Sequence, residues 1–92
     1  MAIGAVPQKY WGKWQGQDGT LVWIRSDGKG DYKGGNTSVT GGNVLVDEKA
    51  RRLSIKFWMF GKELRIDQPP AKKGNEIEMK LDGMLFRKIE GF

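Results

Sequence analysis

Short runs of alternating apolar and polar residues, separated by turns that contain glycine, most constrain the fold of this chain. The turns recur roughly every 8–12 residues, a spacing typical of all-β proteins, and 14 of the 92 residues are glycine. No window carries apolar residues at helical spacing over several turns. The pattern predicts one all-β domain over residues 1–92, a small antiparallel up-and-down barrel or a curled meander of eight to nine short strands.

The best-defined local unit is a hairpin near the C-terminus. Glu76–Leu81 alternates strictly, residues 82–83 are Asp-Gly, and the chain returns over residues 84–89. Asp-Gly supplies the positive φ angles of a type I′ turn, and a two-residue turn sets the register of the strands that it joins. The predicted facing pairs are Leu81 with Met84, Met79 with Phe86, and Glu78 with Arg87. The predicted core face consists of Ile77, Met79, Leu81, Met84 and Phe86.

A second hairpin is predicted in the middle of the chain. The apolar face of its first strand is formed by Leu53, Ile55, Phe57 and Met59, and the opposite face by Ser54, Lys56 and Trp58. Residues 60–62 are predicted to turn the chain because they include Gly61. Leu64 and Ile66 then continue the apolar face. Residues 68–75 contain two prolines, which central strands exclude, so we expect a loop there that acts as a mobile flap.

The first half of the chain is richer in glycine and is predicted to hold shorter strands. These predicted strands are residues 10–15, 20–26, 31–33, 37–40 and 44–46. Tight turns join them, so strands adjacent in sequence are expected to pair in space. An up-and-down sheet of this many strands tends to close, since closure removes its unpaired edges.

Residues 12–14, Gly-Lys-Trp, resemble the Gly-x-Trp opening of lipocalin-like (calycin) barrels. In that family the tryptophan plugs one end of the barrel, and an arginine from a late strand stacks across its ring. The resemblance implies this role for Trp14, and Arg87 in the last strand is the matching arginine. The chain is shorter than a full lipocalin, so the implied barrel is expected to be filled by its own side chains.

Aromatic residues are more numerous than one small core needs, and several lie among cations. With Val22 and Ile24 facing inward, Trp23 is expected to point outward, and Trp58 is expected to be exposed as well. Exposed aromatic residues of this kind anchor protein interfaces. The competing interpretation is a second small apolar cluster, covered by the N-terminal segment or by residues 68–75. The predicted ligand- or partner-binding residues are Trp23, Trp58, Phe60, Arg25, Lys56 and Arg52.

The expected function is a non-enzymatic binding module for a small apolar ligand or a protein partner. The net charge of +5 favours acidic partners. A first alternative is therefore an OB-like domain that binds single-stranded nucleic acid. Its contact residues would be Arg25, Lys33, Arg52, Lys56 and Arg65. A second alternative is a structural homodimer in which an exposed edge strand pairs across a two-fold axis.

The chain contains no histidine and no cysteine, which excludes several kinds of chemistry. There is no imidazole to serve as a base or metal ligand, and no thiolate to act as a nucleophile. The serines lack a histidine to activate them, and the carboxylates are scattered along the sequence. No enzymatic activity, metal or cofactor is predicted.

No membrane-spanning segment is predicted, because the longest apolar run beyond the N-terminus, residues 57–60, is far shorter than the roughly 20 residues of a spanning helix. Residues 1–6 are apolar but lack a basic region and stop at Pro7, so they are not predicted to be a signal peptide. The expected localisation is cytoplasmic by default, and secreted or periplasmic if a signal peptide has been removed.

Overall fold

A computed structural model describes residues 6–90, in which eight antiparallel strands form a closed barrel with every strand beside its neighbours in sequence. A short 3-10 helix, Gln8–Tyr10, precedes the barrel. The strands are β1 (Gly12–Gly16), β2 (Leu21–Ile24), β3 (Lys29–Gly34), β4 (Thr37–Asp47), β5 (Arg52–Phe57), β6 (Phe60–Lys73), β7 (Glu76–Leu81) and β8 (Met84–Glu90). The predicted all-β up-and-down barrel is confirmed. The prediction made for the apolar stretch at residues 1–5 lies outside the described residues.

The hairpin of β7 and β8 has the predicted register. Leu81 faces Met84, Met79 faces Phe86 and Glu78 faces Arg87. Asp82 and Gly83 have φ angles of 49° and 77°, as a type I′ turn requires. The predicted core face is also confirmed, since its members are either fully buried or packed against the buried cluster.

The hairpin of β5 and β6 differs from the prediction at its turn. The strands are joined by the two residues Trp58 and Met59, and Phe57 faces Phe60. The predicted turn at residues 60–62 is therefore wrong, and Gly61 lies within β6. Glycine suits this position because the two strands approach closely there: a Cβ would lie 2.6 Å from Cγ of Lys56 on the facing strand.

The predicted loop and flap at residues 68–75 are also wrong, because β6 continues through both prolines to Lys73. The β6–β7 pairing shifts register between Ile66 and Gln68 and again between Gln68 and Ala71. Irregularities of this kind leave backbone groups out of the ladder, which is where proline, lacking an N–H, is tolerated in a sheet.

In the first half of the chain, the two strands predicted at residues 37–40 and 44–46 form a single strand. Strand β4 runs unbroken through Gly41 and Gly42, where the sequence suggested a break. Gly41 has a φ of 68° and lies opposite a register shift in β3, and its N–H donates to Oδ1 of Asp31 at 2.7 Å. A bulge, not a turn, therefore accounts for this glycine. The predicted first strand is shorter at its start, because Tyr10 belongs to the 3-10 helix.

Large apolar side chains fill the barrel interior. The fully buried ones include Tyr10, Trp14, Phe86, Ile24, Leu53, Ile55, Met79, Leu81, Val22 and Val44. At one end the 3-10 helix closes the barrel: Nε1–H of Trp14 donates to the carbonyl of Tyr10 at 2.9 Å, and Lys9 forms an ion pair with Glu48 at 2.7 Å. We call this the closed end.

The cation over Trp14 is Lys88, not the expected Arg87. Trp14 faces Lys88 across the β1–β8 pairing, and the lysine Nζ lies 5.1 Å from the indole centroid. Because side chains alternate along β8 and Phe86 points inward, Lys88 points inward too and Arg87 points out. Arg87 instead forms an ion pair with Glu76 at 2.8 Å. Burial lowers the pKa of Lys88 below its ordinary value.

Across the part of the chain that the structure describes, no helix has the length and apolar character needed to cross a membrane.

Both tyrosines of the chain are buried, and this predicts an alkaline limit to stability. Burial, with the nearby charge of Glu48, raises the pKa of Tyr10 from 10.0 to about 12, and burial also raises that of Tyr32. Because the pKa of Tyr10 is higher in the folded protein than in the unfolded chain, its contribution to the free energy of unfolding is fully present below pH 10. This contribution is lost as pH rises towards 12.

We therefore expect ultraviolet titration of the folded protein to show no tyrosine ionising near its ordinary pKa, and the free energy of unfolding to fall between pH 10 and 12. Tyr10→Phe should flatten that fall. A normal titration of both tyrosines in protein that is still folded would contradict the prediction.

Candidate functional site

Four consecutive apolar side chains are exposed at the turn between β5 and β6. Phe57, Trp58, Met59 and Phe60 are 55%, 81%, 78% and 65% exposed, respectively. The rings of Trp58 and Phe60 lie 6.5 Å apart, within the range of tilted aromatic pairs. We call residues 57–60 the aromatic tip. A contiguous apolar surface of this kind on a small domain marks a contact site.

The aromatic tip is exposed because the end of its hairpin is unpaired on both sides, although β4 itself continues beyond Asn43 to Thr37, where it pairs with β3. The β6–β7 ladder begins at Ile66, and the β7–β8 turn contacts β6 at Arg65, whose N–H donates to Asp82. Within residues 6–90, no strand pairs with residues 60–64 on that side. At roughly 3.3 Å per residue, the tip lies about 16 Å beyond this turn. On the other side, β4 supports the hairpin as far as Lys56, which faces Asn43.

The missing neighbours explain why Phe57 is exposed. Phe57 continues the inward face of Leu53 and Ile55, as predicted, but neither neighbouring strand pairs with the hairpin at this level. Met59 lies in the turn and not on the strand face predicted for it. Alternation in the sequence predicts the face of the strand on which a side chain lies. Whether that face is covered depends on where the neighbouring strands end.

The backbone at Trp58 is strained. Its φ is 56°, in the left-handed region that large side chains seldom occupy and that hairpin turns usually fill with glycine, asparagine or aspartate. A bulky residue in this conformation costs about 1–3 kcal/mol. Such strain concentrates at functional sites, which singles out Trp58 within the aromatic tip.

Lys56 and Lys62 flank the aromatic tip. Residues 51–66 carry a net charge of +4, but the three arginines among them lie at the other end of the hairpin, where Arg52 faces Arg65. Glu63 takes two of these cations, Arg52 at 3.3 Å and Lys56 at 4.0 Å, in solvent-exposed pairs. Exposed pairs of this kind are weak and exchange readily with other anions. The tip therefore combines apolar side chains with accessible positive charge.

The six predicted site residues fall into two groups. Trp58, Phe60, Lys56 and Arg52 lie on the β5–β6 hairpin. Trp23 and Arg25 lie at β2, separated from that hairpin by β3 and β4 in the barrel wall. The structure thus does not bring the predicted set together, and the part that it does assemble is at the hairpin.

Trp23 points outward, as expected, but is half-buried between cations and is not mostly exposed. Nζ of Lys13 lies 5.1 Å from its ring centroid and Cζ of Arg25 lies 5.4 Å away. Arg25 forms a two-point ion pair with Asp31, at 3.0 Å and 3.3 Å, and the hydrogen bond to Asp31 raises the pKa of the guanidinium. The ring of Trp23 and the charge of Arg25 are already engaged in these contacts, so these two residues form part of the barrel wall.

The open end of the barrel adjoins the aromatic tip and forms a shallow cavity of about 320 Å³. We call it the mouth. Nζ of Lys62 lies 5.7 Å from the ring centroid of Tyr32 on its rim. Burial raises the pKa of Tyr32, and the charges of Asp18 and Asp82 add to the shift. Residues lining the mouth include Thr20, Tyr32, Lys62, Leu64, Met84 and Phe86.

Sequence reasoning missed Phe57, Met59 and Lys62 as parts of this site. One signal was available: Phe57, Trp58, Met59 and Phe60 break the alternation of the preceding strand with an unbroken apolar run. Such a run next to tight-turn geometry indicates exposed apolar side chains. Because Gly61 was interpreted as a turn residue, the turn was predicted two residues too far along the chain.

Within residues 6–90, no cluster of acidic side chains is arranged to hold a metal ion. The comparisons with protein-family models, with curated proteins and with solved structures found no match. The geometry agrees with the lipocalin-like resemblance at the level of an eight-stranded antiparallel up-and-down barrel.

The strain at Trp58 predicts that this residue is not needed for stability. Trp58→Gly relieves the positive φ, which offsets the entropy that glycine loses on folding, so the melting temperature should stay unchanged or rise. Met59→Gly is the matched control, since Met59 is similarly exposed but is not among the residues with positive φ. That variant should lose about 0.5–1 kcal/mol. Thermal and urea unfolding measure both, and a lower stability for Trp58→Gly than for Met59→Gly would contradict the prediction.

Proposed function

We propose that this protein is a non-enzymatic binding module whose contact surface is the aromatic tip and its basic flank. The observation that carries the proposal is the exposure of Phe57, Trp58, Met59 and Phe60 at the end of a hairpin whose last residues pair with neither neighbouring strand. Leaving these side chains in water forgoes the stability that their burial within a larger core would add. A surface kept in this form is explained by contact with something outside the chain.

The packed interior supports binding at the surface over binding inside the barrel. Trp14, Phe86 and Met79 are among the side chains that fill the space where a lipocalin-type ligand would lie. A small apolar ligand would have to use the mouth, whose apolar floor is formed by residues such as Leu64 and Met84. The aromatic tip offers more apolar contact than this floor, so it is the favoured surface.

Two features of the side-chain chemistry support a non-enzymatic role. The chain has neither imidazole nor thiol groups. Several carboxylates are engaged as hydrogen-bond acceptors, as Asp31 is with Arg25 and Gly41, and Asp67 is with Arg65. A carboxylate held this way positions backbone and cations and is poorly placed to transfer protons.

The proposal extends to the lipocalin-like resemblance. Trp14 closes one end of the barrel beneath a cation, as the family pattern implies, with Lys88 in the role expected of Arg87. The opposite end carries the mouth and the aromatic tip. We propose that the scaffold resembles a lipocalin in form and has moved its contact surface from the interior to the rim.

The nucleic-acid alternative has less support from the arrangement of charge. Of its five proposed cations, Arg25 is held in a partly buried two-point pair with Asp31, at 3.0 Å and 3.3 Å. The connectivity is also up-and-down, whereas an OB fold is a five-stranded Greek key. The homodimer alternative would use the unpaired side of residues 60–64, where Lys62 and Glu63 oppose strand addition by placing charge on the edge.

Site-specific photo-crosslinking tests the proposal in cells that express the full chain. A benzophenone amino acid replaces Trp58 in one variant and, as the control, Leu45 in another, since Leu45 is an exposed apolar residue of the barrel wall at 49%. We expect a discrete adduct from position 58 that position 45 does not give. Excess wild-type protein should compete for it. Equal adducts at both positions, or neither a protein nor a lipid adduct at position 58, would refute the aromatic tip as the contact surface.

A further inference from the structure

We propose that the aromatic tip docks on the surface of an anionic lipid bilayer, an inference that rests on the function proposed above and names its partner. Three independent observations point to a bilayer: the convex shape of the tip, the kinds of side chain that it exposes, and the distribution of charge around it.

The shape of the tip suits a fluid surface. The hairpin ends in a two-residue turn that pairs with neither neighbouring strand, so its apolar side chains point outward from a narrow end. A protein partner would need a deep pocket complementary to this projection. A bilayer interface accommodates a protruding apolar group without a preformed cavity.

The exposed side chains are those that bind at the level of lipid headgroups. Tryptophan is enriched at membrane interfaces, where its ring is apolar and its N–H remains hydrated. Trp58 is at the extreme end, and Phe57, Met59 and Phe60 surround it. Interfacial groups enter only about 5–10 Å, and the projecting hairpin is long enough for that depth while the barrel stays outside.

The charges favour an anionic surface. Lys56 and Lys62 flank the tip on the two strands, and long lysine side chains can extend their amines to headgroups while their stems cover apolar surface. Arg51, Arg52 and Arg65 lie at the opposite end of the hairpin, so the charge beside the tip comes from these two lysines and Glu63.

Acidic groups also lie on the same end of the barrel, and their placement limits how the protein approaches. Asp18 and Asp82 belong to the β1–β2 and β7–β8 turns. The turn that contains Asp82 is the one beyond which the hairpin projects. Lys62 lines the mouth together with both aspartates, whereas Lys56 does not, so an approach led by the hairpin brings Lys56 to the headgroups first.

Vesicle co-sedimentation of the full chain tests the inference. One set of vesicles is phosphatidylcholine alone, and the other contains about one-third phosphatidylserine. We expect binding to the anionic vesicles that is about tenfold stronger than to the neutral ones and that weakens as salt is raised. Brominated lipid should quench Trp58 emission, which is measured as the difference between wild type and Trp58→Phe.

Matched variants identify the surface responsible. Trp58→Gly, expected to fold normally, should reduce binding about tenfold, and the pair Lys56→Gln and Lys62→Gln should reduce it several-fold. Leu45→Ser removes an exposed apolar residue elsewhere and should leave binding unchanged. Binding that Trp58→Gly leaves intact, or that neutral and anionic vesicles support equally, would overturn the inference.

Failure of this inference can be told apart from failure of the proposed function. If anionic vesicles do not bind while crosslinking at position 58 gives a specific protein or self-adduct, the bilayer is wrong and the aromatic tip remains the contact surface. If neither experiment gives a tip-dependent signal, both proposals fall. A self-adduct accompanied by a dimer in sedimentation velocity would identify a second copy as the occupant instead.

Discussion

Closure of the barrel is the constraint on which the rest of the structure depends. Pairing of β1 with β8 gives each of these strands a second neighbour, and without it both would present an unpaired edge. The seam needs close approach: a Cβ at Gly12 would lie 2.7 Å from the carbonyl of Glu90, and one at Gly16 would lie 3.1 Å from the ring of Phe86. Closure around so few residues leaves an interior that its own side chains fill.

Much of the fold could be predicted because local chemistry and tertiary structure agree. Asp82 and Gly83 suit the turn that they form, so the register of β7 and β8 and their buried faces follow from it. Prediction failed where two local rules competed. Glycine usually forms turns, but Gly61 lies within a strand where close packing needs it. Tryptophan seldom forms turns, but Trp58 lies in one. The prolines of β6 lie in a stretch where the register of the pairing shifts. The residue types permit both outcomes, and the choice depends on neighbouring strands.

The candidate site was only partly predictable for a related reason. The face of Phe57 follows from alternation, but its exposure depends on the height at which β7 ends beside β6, which no local pattern encodes. The expected pairing of Trp14 with Arg87 failed by one residue, because Phe86 points inward and alternation along β8 therefore turns Lys88 towards the indole and Arg87 outward. A shift of one residue in a strand exchanges the inward and outward faces, so an assignment based on residue type alone cannot distinguish them.

Three features that weaken a small domain occur together at the β5–β6 hairpin: a strained Trp58, exposed apolar side chains and an unpaired strand side over residues 60–64. Charges on Lys62 and Glu63 protect that side from adding strands of other chains, so the hairpin can remain apolar at its end without aggregating along its edge. Lys62 also reaches Tyr32 on the rim of the mouth, which ties the projecting hairpin to the barrel. Destabilising features at one place, protected and anchored by their neighbours, are what we expect of the contact surface proposed above, because selection for stability alone would remove them.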